Sequence, residues 1–207
     1  MKILALEFSS RQRAVAVTDG PTPLAAVMTE DLKEPPLTLI ETALKQAKLQ
    51  PADINTLALG LGPGSYTGIR SSLALAQGWQ LARPINLVGI SSIEILAATA
   101  QLAGHRGNIH FIIDAQRHEY YHASWKLSAD GWSKTEAPHI IGVTQAAELD
   151  SFGPDAAGFP FCTPMYPDAT VLARMAATTT HSASGSELEP IYLRPTEFTK
   201  APPPRQL

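Results

Sequence analysis

The stretch GLGPGSYTGIRSSLALAQG, residues 60–78, sets five glycines around one proline and then turns helical without a break. It continues the apolar run INTLALGLG, so a strand, a glycine loop and a helix start succeed one another. A continuously apolar strand of this kind belongs to a parallel sheet covered on both faces, which points to an α/β fold. Glycines let a backbone approach an anion, and a helix start offers unpaired N–H groups. The loop therefore reads either as an anion cradle built on Gly62, Gly64 and Ser65 or as a tight turn that holds nothing.

Three phosphate or nucleophile fingerprints do not fit it. A P-loop needs a lysine after its glycines, and none lies between Lys48 and Lys126. A dinucleotide fingerprint needs a third glycine where Thr67 stands and an acidic residue some twenty positions on. A nucleophile elbow needs glycine where Pro63 precedes Gly64 and Ser65.

Bulk properties narrow the setting. With 207 residues and a net charge of -3, the chain has room for one large or two small domains and lacks a basic field for nucleic acid. Any RNA is expected to be reached through a partner. The single cysteine, Cys162, excludes an intrachain disulfide and suits a reducing compartment. The opening MKILALEFSS is too short in its apolar run for a signal peptide, and no eighteen apolar residues follow one another, so a cytoplasmic protein with no membrane partner is expected.

Along the chain, KILALEF, RAVAVTD and PLAAVMT predict three strands in meander order. Residues 37–49 place Leu37, Ile40, Leu44 and Ala47 at helical spacing after two prolines. A helix is predicted over 65–82, a strand at PINLVGI, and a helix over 91–104 that opens with a Ser91–Glu94 capping box and ends on Gly104. A domain boundary is placed at residue 104. Beyond it, Ile109, Phe111 and Ile113 alternate, then Tyr121, Ala123, Trp125 and Leu127, as in a hairpin turning near 115–118. A short helix near TQAAEL, a buried strand near AAGF and a helix at the start of ATVLARMAATTT follow, and the tail KAPPPRQL is expected to be extended. Both halves share a plan of strands first and helices after.

Two further groups of residues bear on chemistry. HEYYH, His118 to His122, matches the zinc-protease pattern, in which both imidazoles grip one zinc on a helix and Glu119 acts as base. The alternation of Tyr121, Ala123, Trp125 and Leu127 reads instead as a strand, which would hold residues four apart at about 13 Å. The spacing of Tyr121 and Trp125 also suits a helix. The turn LEFSSR carries Glu7 and Ser9, and sugar kinases and actin-like ATPases turn such groups toward the metal and phosphates of ATP. Glu7 and Ser9 are candidate nucleotide contacts on that ground, or members of a turn that holds nothing. Asp114, at a strand end of the second half, is either the matching carboxylate or a loop cap.

KILALEFSS, ALGLGPGSYTGIRSSLALAQGWQLA, LVGISSIEILA, IDAQRHEYYHA and PIYLRP occur in the order found in the TsaB, or YeaZ, family, which this chain resembles. The resemblance is specific in the glycine loop and its helix and is thin between residues 125 and 190. It implies an actin-like, hexokinase-like fold of two mixed-sheet domains, 1–104 and a smaller 105–207. It further implies a non-catalytic subunit that pairs with TsaD, with a TsaE-like ATPase as further partner, in threonylcarbamoyladenosine modification of tRNA. Family members begin with Asp-Thr-Ser where this chain has Glu7, Phe8 and Ser9, and they carry a histidine before the first helix that LKEPPLTL lacks. The metal-binding histidine pair of the catalytic sister would fall within 91–104, which has no histidine. No resident metal and no required cofactor are expected. A small ATP- and magnesium-dependent kinase is the alternative function, and a zinc hydrolase the third.

The helix after the loop has two apolar stripes. Ile69, Leu73 and Ala76 form one; Ser71, Ala74, Leu75, Gly78 and Ala82 form the other on the opposite side. The small second stripe admits a closely packed helix, either the one at 37–49 or one from a partner. The family resemblance favours the partner, as TsaD or as a second copy in isolation.

Overall fold

The computed structural model describes residues 1–154, 161–179 and 187–193. Its framework is one sheet plan used twice. Strands Lys2–Glu7 (β1), Arg13–Asp19 (β2), Thr22–Thr29 (β3), Thr56–Gly60 (β4) and Asn86–Ile90 (β5) form a sheet in the order β3-β2-β1-β4-β5. The first three are the expected antiparallel meander, and β4 and β5 run parallel to β1. Strands Gly107–Asp114 (β6), Glu119–Leu127 (β7), Trp132–Gly142 (β8), Ser151–Gly153 (β9) and Cys162–Pro164 (β10) repeat the pattern, in the order β8-β7-β6-β9-β10 with the same directions. This duplicated mixed sheet is the actin-like architecture.

Helices Pro36–Ala47 (α1), Tyr66–Ala82 (α2) and Ser92–Leu102 (α3) follow β3, β4 and β5; Val143–Ala147 (α4) and Ala169–Thr178 (α5) belong to the second half of the chain. Period-two alternation sorts the first sheet into two faces. Leu4, Leu6, Val15, Val17, Leu57 and Leu59 turn toward α1 and α2. Ile3, Ala5, Ala16 and Ala58 turn the other way, toward α5 and α3. The second face is built of small side chains, and α5 meets it with Ala169, Ala173 and Ala176, so helix and sheet approach closely. Although α5 lies beyond the expected boundary at 104, it closes the first sheet.

Helix α3 sits between the two halves and is buried over most of its surface for that reason. Ile95 and Ala98 join the α5 cluster, while Ile93, Leu96, Ala97 and Ala100 pack with Phe111, Ala123 and Trp125 of the second sheet. Two local expectations are corrected. Leu37 is 56% exposed, because Leu39 and Ala43 take the buried positions beside Ile40 and Leu44. Ser91 stands at the N-cap of α3 without capping it; its hydroxyl donates to the Gly62 carbonyl at 3.3 Å instead. The αL turn at Gly104 has φ 95°, as the C′ expectation requires. The expected AAGF strand, 156–159, and the tail from 200 onward lie outside the described residues.

Ala58→Leu places three extra carbons where β4 faces α5. Overpacking of that kind costs about 1–3 kcal/mol, which lowers Tm by roughly 2–12 °C for a chain this size. Thermal unfolding monitored by circular dichroism checks it; an unchanged Tm would mean that α5 does not lie on this face.

Candidate functional site

The glycine loop is docked on the end of β1. The Ser65 N–H donates to the Ser9 carbonyl at 2.6 Å, and the Ser65 hydroxyl caps α2 by accepting from the Gly68 N–H at 3.3 Å. A side chain at Gly64 would strike the Ser9 carbonyl oxygen, and one at Gly68 that of Phe8. Both positions need glycine because rigid backbone lies against them. The Gly62 N–H is taken by Ser92 Oγ at 3.0 Å, and the Gly62 carbonyl accepts from the Ser92 N–H at 2.8 Å. Several of the loop's polar groups therefore bond to protein, and the loop sets where α2 begins and how it is aimed.

Glu7 does not reach outward. Its side chain is fully buried, Oε1 accepting from the Ser9 N–H at 2.8 Å and Oε2 from Ser92 Oγ at 3.1 Å. The carboxyl group fills the space a side chain at Gly60 would need. Burial raises its pKa from the ordinary 4.5 to about 7, against the hydrogen bonds from Ser9 and Ser92, which lower it. The expectation that Glu7 faces a metal or phosphate is corrected on this geometry. Ser9, Gly64, Ser65 and Asp114, by contrast, line one cleft of about 490 Å³ between the two sheets, together with Ser10, Arg11 and Tyr121. Asp114 caps its loop there, Oδ1 accepting from the Gln116 N–H at 2.7 Å.

Beyond the loop, the last described segment returns to the first sheet. The Ile191 N–H donates to the Leu61 carbonyl at 2.8 Å, and Leu188 packs into the first core. Tyr192 then accepts a hydrogen bond from Arg70 Nε at 2.9 Å, while the Arg70 guanidinium lies 3.9 Å above the Tyr66 ring. PIYLRP stands out in the sequence by resemblance alone, and no local pattern in it signals that Tyr192 meets α2.

The outward stripe of α2 is uncovered among the described residues. Ala74, Gly78 and Ala82 are exposed, and Ser71 and Leu75 are half-buried. A methyl group added at Gly78 would meet nothing within 4 Å, so α1 does not fill this side. Next to the stripe, Leu37, Ile40, Leu44, Trp79 and Ala82 line an apolar groove of about 420 Å³ between α1 and α2.

HEYYH forms no chelating pair. His118 has φ 62° in the turn before β7, while His122 lies four residues on along an extended strand. The zinc-hydrolase reading through His118 and His122 is thereby corrected: the strand alternation, not the motif, describes the backbone. His122 instead faces His110, His139 and Glu136 from neighbouring strands, a grouping no local motif could have signalled.

The Glu7 carboxyl makes stability depend on pH. Below about 4.5 it is protonated in both folded and unfolded chains. Between there and about 7 the folded chain keeps a proton the unfolded chain has released, so this contribution to stability falls as pH rises and is fully lost above about 7. The total is on the order of 3 kcal/mol. Glu7→Gln should gain urea-unfolding stability over wild type at pH 8 and much less at pH 5; an equal difference at both values would refute the assignment.

With this geometry in place, the comparisons with known proteins are specific. The family model described as "TsaD: tRNA N6-adenosine threonylcarbamoyltransferase" matches residues 3–157. The "tRNA threonylcarbamoyladenosine biosynthesis protein TsaB" of Escherichia coli is 28% identical over 144 residues, covering 68% of this chain and 62% of that protein. Its Bacillus subtilis counterpart is 32% identical over 126 residues, 58% of this chain and 53% of that one. The match thus spans under two thirds of these curated relatives. The solved structure of YeaZ from Pseudomonas aeruginosa has the same fold, with a TM-score of 0.77 at 21% identity, over 93% of this chain and 99% of that one. The chain belongs to the TsaB (YeaZ) branch of the family described by the TsaD model.

Proposed function

We propose that this chain is a non-catalytic subunit in threonylcarbamoyladenosine formation on tRNA. It pairs through α2 with a TsaD-like catalytic subunit and, with a TsaE-like ATPase, supports threonylcarbamoyl transfer to the adenosine beside the anticodon of tRNAs reading codons that begin with A. The observation that carries this reading is the small-residue face of α2, uncovered among the described residues, with Ser71, Ala74, Leu75, Gly78 and Ala82 beside the apolar groove of Leu37 and Trp79. A helix whose outward side is small and apolar lets a second helix approach closely. The names of the Escherichia coli and Bacillus subtilis relatives support the pathway. In isolation the same face accommodates a second copy in a self-complementary pair. With a net charge of -3 the chain meets tRNA through the complex, in the cytoplasm, and it needs no cofactor of its own.

A second reading, a small actin-like kinase using ATP and magnesium, has one observation in its favour: Ser9, Gly64, Ser65 and Asp114 share a cleft. Against it stand the inward-turned Glu7 and the lack of a lysine near the loop. The purified chain alone is expected to show negligible ATP turnover; a rate on the order of 1 s⁻¹, ordinary for an enzyme, would favour the kinase.

Gly78→Leu tests the interface. Overpacking at about 1–3 kcal/mol would weaken association with the TsaD-like subunit by about 5- to 150-fold in a binding titration. Because glycine in a helix interior is disfavoured by roughly 0.8–1.0 kcal/mol relative to alanine, the monomer should not lose stability. A lowered monomer Tm with unchanged partner affinity would place this stripe inside the fold instead.

A further inference from the structure

The outer face of the second sheet gathers three histidines and a glutamate from three strands. His122 on β7 stands directly opposite His139 on β8. Glu136 lies three residues before His139 on the same strand, and regular alternation would send the two side chains to opposite faces. The pairing is irregular here: β7 advances two residues, from His122 to Ser124, while β8 passes three, from His139 to Glu136. This bulge, at Ala137 and Pro138, turns Glu136 onto the histidine face. Proline is tolerated because β8 is an edge strand.

The resulting distances suit a shared ion. Glu136 Oε2 is 3.8 Å from His122 Nδ1, and Glu136 Oε1 is 3.5 Å from His139 Nε2. One ligand atom from each of the three residues falls within 4.8 Å of the others. Ligands bonded tetrahedrally at about 2.0–2.1 Å stand roughly 3.4 Å apart, so the three ligand atoms, within 4.8 Å of one another, must draw together to close the site.

The outer hydrogen bonds allow both imidazoles to turn a lone pair inward. His139 Nδ1 is 3.0 Å from the Ala137 carbonyl, which can only accept, so Nδ1 carries the proton and Nε2 is the free nitrogen facing Glu136. His122 Nε2 is 3.0 Å from His110 Nδ1; when it donates there, Nδ1 presents its lone pair to Glu136. Ligating histidines characteristically give their second N–H to an outer acceptor, and both imidazoles have one.

We propose that His122 Nδ1, His139 Nε2 and the Glu136 carboxylate bind one divalent cation of the zinc class. Two imidazole nitrogens and one carboxylate match zinc in ligand type, and three protein ligands leave a fourth position for water. The site is anchored on a buried residue and open at its rim: the His122 side chain is 5% exposed, those of His139 and Glu136 43% and 48%. His110 is a positioning residue. His118 takes no part, although its motif suggests it.

The test is titration of the full, untagged, metal-stripped chain at neutral pH with zinc by calorimetry and with cobalt(II) by visible absorption. One equivalent should bind, with the intense d–d bands of a tetrahedral cobalt site. His139→Ala and Glu136→Gln alter half-exposed side chains, so the metal-free Tm should hold while affinity falls more than about 100-fold, beyond the usual effect of losing an outer partner. His110→Ala should weaken binding by about 10- to 100-fold, and His118→Ala should leave it unchanged. Absence of stoichiometric uptake, undiminished uptake by His139→Ala, or loss of uptake in His118→Ala would each overturn the proposal.

Discussion

The contact between the glycine loop and the end of β1 fixes most of what surrounds it. At Gly64 and Gly68 the loop and the first turn of α2 press against the carbonyl groups of Ser9 and Phe8 with no room for a side chain, and the Ser65 N–H closes the contact on Ser9. A carbonyl in a packed backbone cannot swing aside as a flexible side chain can, so the starting point of α2 is determined by β1. Its direction follows, since Ile69, Leu73 and Ala76 must then lie on the sheet. The face carrying Gly78 points outward as a consequence, and so do the groove beside it and the Tyr66–Arg70–Tyr192 cluster at the helix start. Even the inward carboxyl of Glu7 belongs to this contact, because Gly60 leaves the space that it fills.

The two sheets share a strand order but not a covering. The first is enclosed by α1 and α2 on one side and by α5 and α3 on the other, and its strands are accordingly apolar on both faces. Among the described residues, the second receives α3 on one face and only the five-residue α4 on the other. Polar residues can therefore occupy the unclaimed part of that outer face, and His110, His122, Ser124 and Glu136 do so. Duplication of a scaffold with unequal covering lets one copy carry polar side chains on a face that is apolar in the other.

Features carried by local spacing were legible in the sequence. Continuous apolarity marked β4, the loop-to-helix transition marked α2, and the alternation around Tyr121 and Trp125 outweighed the letters of HEYYH. Features decided by distant contacts were not. Leu37 and Leu39 are equally apolar, and only the position of the sheet selects Leu39 for burial. Ser91 and Glu94 have the spacing of a capping box, but the Gly62 carbonyl, distant in sequence, competes for the hydroxyl. In the candidate cleft, Ser9, Gly64, Ser65 and Asp114 were identifiable as residues, whereas the inward turn of Glu7 depends on Ser92 and Gly60 together. The grouping of His122, His139 and Glu136 needs strand pairing plus a bulge, neither of which leaves a periodic trace.

The return of α5 to the first sheet has a consequence during synthesis. The alanine-rich face of β1, β2 and β4 is complete once the ribosome has passed β5, yet much of its cover is encoded at residues 169–178. At about 5–20 residues per second, the intervening chain takes on the order of 4–16 s to emerge. For that interval the nascent first sheet carries an apolar face that only α3 partly shields. Its small side chains make that face shallow and weakly adhesive, and this suits a surface that must wait for its own later sequence.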